Sequence, residues 1–207
     1  MIVEKSVQRF IKELASPSPV PGGGNVSCVV AAQAAGLVSM ACLISARREE
    51  ALRKRTALKE LAASADVLID LGLSLAELDA EVFTRLIQIF KTRFRSSAER
   101  RRSLREALSF CAAACLDLLL LAREGALLSA RASRLAGHEM LSEIHTAVFL
   151  WDAAFEGARI NTRANLAWLK EREVERRVRG FVEKVSVSYR KQRAMTLKAL
   201  RARGARI

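Results

Sequence analysis

From Gly22 to Ile207 the chain contains no proline; Pro17, Pro19 and Pro21 all fall in one short stretch near the N-terminus. Proline removes a backbone donor and clashes with the preceding helical turn, so everything after Pro21 is free to run as helix. Glycine is sparse, 10 in 207 residues, and Ala, Leu, Arg and Glu dominate. These residues lose little rotamer freedom in a helix. The expected fold is all-α. With 51% apolar residues the chain can close a sizeable core, most simply as one domain.

Apolar periodicity places a first helix from about Val3 to Leu14, with Ile2, Val7, Phe10, Ile11 and Leu14 as its stripe. The segment ASPSPVPGGG ends it. Residues Val26 to Ala46 then carry no charge. At ~1.5 Å per residue they reach about 31 Å, long enough for a membrane span. Gln33 and the wealth of small residues (Ala31, Ala35 and Ser39; Ala32 and Gly36) favour a helix enclosed by neighbours or at a subunit interface. A charged, then amphipathic, segment follows. Ser74 and Glu77 have capping-box spacing and predict a new helix whose buried side is Leu75, Leu78, Val82, Leu86 and Ile89. Further helices are expected from about Ala98 to Ala122, from Ser142 onward, and from about Glu171 to Ala202. The organisation predicted is a helical bundle around a long apolar central helix. Residues 1–170 form the domain, and residues 171–207 a basic C-terminal helix packed on or extending it.

The net charge is +13, and nine of those charges lie in residues 170–207; a second basic cluster runs from Lys91 to Arg105. Such clusters attract nucleic acid, anionic lipid or a polycarboxylate ligand, or are simply solvated helix faces. Cys28, Cys42, Cys111 and Cys115 sit in apolar surroundings without zinc-site spacing, and His138 and His145 do not supply it. No metal is expected. The first residues read as a charged amphipathic helix rather than a signal peptide, so a cytoplasmic location is expected.

Three places carry candidate chemistry. In PVPGGGN, Gly22, Gly23 and Gly24 are not a Walker loop, because no Gly-Lys-Ser/Thr follows. Asn25 can cap the uncharged helix, and the exposed N–H groups there can meet an anionic or carbonyl ligand group; a stiff turn is the plain alternative. Asn161 and Asn165 share a helix face and can bind a ligand or tie helices together. Asp79 reads as a surface acid of an amphipathic helix, and Glu143 as an acid favoured by a helix start.

Taken in order, these segments resemble one family. SPVPGGGNVSCVVAAQAAGLVSMAC is similar to the opening of the formiminotetrahydrofolate cyclodeaminase and methenyltetrahydrofolate cyclohydrolase family, with Asn25 where Ser is usual. LAELDAEVFTRLIQIFK resembles its acidic Asp-Glu-Asp-Ala-x-x-Phe segment through Asp79, Ala80 and Phe83, with Leu78 replacing an acid. LSEIHTAVFLWDAAFEGARINTRANL resembles its late helix through Ser142, Gly157, Asn161, Asn165 and Leu166, with Glu143 for Asp.

The resemblance implies a homodimeric, all-helical folate-binding domain. It implies a one-carbon enzyme that cyclodeaminates 5-formiminotetrahydrofolate or hydrolyses 5,10-methenyltetrahydrofolate. The tetrahydrofolate derivative is then the substrate, and no cofactor is tightly bound. Asp79 and Glu143 become candidate catalytic acids, because a carboxylate can move the protons and stabilise the cationic carbon. Gly22, Gly23, Gly24, Asn25, Ser142, Asn161 and Asn165 become candidate substrate contacts. Either basic cluster can hold the substrate's glutamate tail. The substitutions at Asn25, Leu78 and Glu143 open an alternative, a diverged non-catalytic module that binds a polyanion such as nucleic acid.

Overall fold

The computed structural model describes residues 1–204, so Arg206 of the C-terminal basic cluster lies outside the described residues. Six α-helices and one short 3-10 turn make up the described residues. They are α1 (Val7–Leu14), α2 (Gly23–Arg48), α3 (Leu52–Lys91), α4 (Ser97–Leu135), the turn His138–Met140, α5 (Leu141–Leu169) and α6 (Arg172–Ala202). The all-α expectation holds.

Helix α2 is the centre, packed against α3, α4 and α5, while α6 lies on α4 and α5. It is the one described helix long and apolar enough to cross a membrane, yet Ala31, Ala34, Ala35, Val38, Ala41 and Cys42 are wholly or almost wholly buried inside the bundle. Alanine, serine and glycine let neighbouring backbones come close, which is why a helix this poor in bulk sits at the middle. The bulk comes from the surroundings: Leu58 and Leu61 on α3, Leu118 and Leu119 on α4, Ile144 and Trp151 on α5. Trp151 packs on the bare backbone of Gly125, where a Cβ would overlap the indole ring. Helix α6 joins the same core through Val185, Tyr189 and Leu200. Tyr189 stacks on Phe155 with centroids 4.1 Å apart and donates to Asp152 at 2.6 Å, and Arg193 grips the same carboxylate at 2.6 Å.

Four sequence expectations are corrected. Ser74 does not start a helix; α3 runs unbroken for 40 residues. Gly72, which precedes the expected boundary, serves close packing, since a Cβ there would stand 3.2 Å from Ala32 and from the Cys28 carbonyl. Glu77 caps no helix and instead accepts from the Val3 N–H at 2.7 Å. Leu78 is not on the buried side but 40% exposed, whereas Leu86 is buried as expected. Helix α4 continues past Ala122 to Leu135. Finally, α1 begins at Val7 with Ser6 as its cap, and Val7 and Ile11 of the expected buried stripe face outward.

Candidate active site

The first turn of α2 organises the site. Gly22 is extended, and the helix begins with Gly23. Asn25 accepts the Gly22 N–H through Oδ1 at 2.8 Å and donates through Nδ2 to the Ala76 carbonyl of α3, also at 2.8 Å. Three residues beyond Ala76 on the same face of α3 stands Asp79. Its carboxyl group lies directly on Gly24: a Cβ there would fall 2.6 Å from Asp79 Cγ and overlap both oxygens. Only a glycine permits this approach. The Asn25 backbone N–H acts on the Asp79 carboxylate and favours its charged form.

Helix α5 closes the other side. It crosses α2 at Gly157, where a Cβ would collide with Ser27 Oγ. One turn on, Asn161 places its amide 3.7–4.0 Å from where a Gly23 Cβ would stand. Its Nδ2 donates to the Gly157 carbonyl at 3.0 Å, and its Oδ1 has no protein partner among the described residues. Asn165 donates to Cys115 Sγ at 3.6 Å. Gly22, Gly23, Gly24, Asn25, Asp79, Asn161 and Asn165 thus come together from α2, α3 and α5.

The structure does not bring Ser142 and Glu143 to them within one chain. Both lie in the first turn of α5, and at ~1.5 Å per residue the 18 positions from Glu143 to Asn161 make about 27 Å. That end of the bundle is tied elsewhere, by the Gly137 N–H donating to Ser45 Oγ and by Arg48 pairing with Glu139. The cluster also holds residues that no motif marked: Ser27, Cys28, Cys111, Cys115 and Thr162. The four-residue spacing of Cys111 and Cys115 signals a shared face, but nothing local says that this face meets Asp79.

Electrostatically the site is a carboxylate among neutral groups. Burial pushes Asp79 up from 3.8 to about 6, opposed by the Asn25 N–H. The thiols coupled to it are raised by burial first and by Asp79 second: Cys111 to about 11, Cys115 to about 12, and Cys28 higher still. They stay protonated at neutral pH, so the titration near neutrality belongs to Asp79. The expectation that the cysteines are buried small hydrophobes fits their burial. No metal-ligand cluster occurs among the described residues.

A cleft of about 570 Å³ lies elsewhere, between α5 and α6. Its Arg159, Arg179 and Arg190 pair with Glu156, Glu175 and Glu183 respectively, so the cleft largely neutralises itself. Arg163 lines it from nearly the opposite side of α5 to Asn161, since two helical positions turn by roughly 200°. The half-buried carboxylate with a pKa near neutrality, not the α5–α6 cleft, is where proton transfer can occur.

The sequence pattern of the formiminotransferase-cyclodeaminase family matches residues 6–184. The chain belongs to this family. The methenyltetrahydrofolate cyclohydrolase of Methylorubrum extorquens is 24% identical over 175 residues, which are 83% of this chain and 84% of the relative. The crystal structure of formiminotetrahydrofolate cyclodeaminase from Thermotoga maritima superposes with a TM-score of 0.86 at 19% identity, covering 98% of both chains. That likeness shows the fold. In this formiminotransferase-cyclodeaminase family member, the triple glycine and Asp79 form a single packed feature, although 55 positions separate Gly24 from Asp79.

Proposed function

We propose that the chain acts on the one-carbon bridge between N5 and N10 of a tetrahydrofolate, as a cyclohydrolase or a cyclodeaminase, with Asp79 moving the proton. The observation that carries this is the Asp79 carboxylate, half-buried against Gly24 and poised at about 6. In hydrolysis, water adds to the cationic methenyl carbon, Asp79 accepts its proton, and a C–N bond of the ring breaks. In cyclodeamination, N10 attacks the formimino carbon, and ammonia departs after taking up a proton. Both reactions need one group that takes and returns a proton near neutral pH beside a carbon carrying positive charge.

The Asn161 Oδ1 and the N–H groups of Gly23 and Gly24 supply hydrogen bonds for the pterin edge. The substrate's carboxylate tail has a complementary surface at the α3–α4 end of the bundle. Lys91, Arg93, Arg95, Arg100, Arg101 and Arg102 are exposed there without ion-pair partners among the described residues, while Arg105 pairs with Glu171. We also propose that a second copy of the chain covers the apolar residues α2 and α3 leave open, Met40, Leu43, Val67, Leu71 and Leu78. Sedimentation of the purified protein tests this, and a monomer at micromolar concentration would refute it.

The activity test is direct. The purified protein is mixed with 5,10-methenyltetrahydrofolate, and with 5-formiminotetrahydrofolate, and the methenyl absorbance is followed. Loss of absorbance with the first, or gain with the second, is expected, and Asp79→Ala abolishes it. Wild-type protein that turns over neither compound would sink the reading.

A further inference from the structure

Asn25 is the residue at which this chain departs from the serine usual in the sequences it resembles, and its side chain is not available to a ligand. It is 1% exposed, and both ends of its amide are used inside the protein, on the Gly22 N–H and the Ala76 carbonyl, each at 2.8 Å. Its backbone N–H holds the Asp79 titration down, against the effect of burial. One residue therefore ties two points, the glycine turn and the backbone of α3 one turn before Asp79.

We propose that Asn25 is a positioning residue that sets the distance between the glycine turn and α3 and so holds the Asp79 carboxylate on Gly24. This rests on the reading of Asp79 as the proton carrier. The geometry leaves little slack, since the Asp79 carboxyl group occupies the space a Gly24 side chain would fill. A slide of α3 along α2 by a fraction of an ångström either drives that carboxylate into the backbone or withdraws it. The Nδ2–H to Ala76 bond opposes such a slide. A serine hydroxyl can still accept the Gly22 N–H, but it is one heavy atom shorter than the amide and loses the span to Ala76. The same displacement weakens the pull of the Asn25 N–H on the charged form of Asp79. The titratable groups coupled to Asp79 are the thiols of Cys28 on α2 and of Cys111 and Cys115 on α4, while α5 presents the neutral amides of Asn161 and Asn165. All three thiols titrate well above Asp79, so a change in its titration reports its own environment.

The test compares wild type, Asn25→Ser and Asn25→Ala. Two quantities are read: kcat and KM for 5,10-methenyltetrahydrofolate across pH, and the titration midpoint of the Asp79 carboxyl carbon by NMR in the substrate-free protein. Asn25→Ser keeps an acceptor for the Gly22 N–H at the start of α2 and so keeps the variant folded even where Asn25→Ala is not. The expected result is a fall in kcat of ~10-fold for Asn25→Ser and ~100-fold for Asn25→Ala, the scale of a 1 Å misplacement. KM should change less than about threefold, because the side chain touches no ligand. The Asp79 midpoint and the acid limb of the kcat profile should move upward together in both variants. A loss confined to KM, or an unmoved Asp79 midpoint in the folded Asn25→Ser protein, overturns the proposal. Should the wild type turn over no folate, the proposed function fails, and the NMR midpoint alone still decides whether Asn25 positions Asp79.

Discussion

Replacing Asp79 by Asn is predicted to stabilise the protein while removing its activity, and the gain must depend on pH in one direction. The carboxyl group titrates at about 6 in the folded chain against an ordinary 3.8, with burial as the main cause. Its folded value lies above its unfolded value. The folded state therefore holds the proton more tightly, and ionising the group costs stability as pH rises between the two values. At ~1.36 kcal/mol per unit, the full cost above pH 7 is about 3 kcal/mol as an upper bound, and about 0.5 kcal/mol at pH 4. Asp79 is only half-buried, and water screens part of this, leaving about 1–3 kcal/mol near neutrality. Asparagine keeps the shape, but it carries no charge to desolvate. For a domain of this size the gain corresponds to a rise in Tm of ~2–10 °C at pH 8, shrinking to ~2 °C or less at pH 4. Thermal unfolding followed by circular dichroism at several pH values measures it, alongside methenyl-folate turnover on the same samples. An Asp79→Asn protein less stable than wild type at pH 8, or equally stabilised at both pH values, would refute the assignment of a desolvated carboxylate at this position.

Three further outcomes follow from the packing and charge. Gly24→Ala forces a Cβ into the Asp79 carboxyl group, so it should lower kcat by ~100-fold or more while leaving helix content intact, checked by steady-state kinetics and circular dichroism. Gly125→Ala drives a methyl into the fully buried Trp151 ring, remote from the chemistry. It should cost about 1–3 kcal/mol in urea unfolding with kcat per folded molecule unchanged. Neutralising Arg100, Arg101 and Arg102 to Ala should raise KM for an oligoglutamylated folate several-fold at low salt, with kcat preserved, and the difference should vanish at high ionic strength. A change in kcat instead would detach that surface from the substrate tail.

Helix α6 illustrates a contact the sequence does not announce. Tyr189, Asp152 and Arg193 form one half-buried hydrogen-bonded group between α5 and α6. The basic run around them suggests only a charged outer face. The acid that anchors Tyr189 and Arg193 lies about forty residues upstream, and spacing along a single helix cannot predict a partner on another.

Composition and periodicity by themselves determined that this protein is helical, that an uncharged segment of small residues lies at its middle, and where α5 and α6 run. Those are properties of local backbone preference and of apolar surface that must be covered. The residue resemblance pointed to Asp79, the glycines and the two asparagines one at a time. Their assembly was decided in three dimensions. Ser74 and Glu77 satisfy a local rule for a helix start, yet α3 continues through them with Gly72 packed close on α2. Ser142 and Glu143 belong to the same sequence motif as Asn161, but a helix is rigid, and its rise carries them to the far end of the bundle. Asp79 is an ordinary acid in the sequence. It becomes a group that titrates near neutrality only because α2 brings a glycine backbone against it and α4 surrounds it with buried thiols, and desolvation is a property of neighbours rather than of the residue itself.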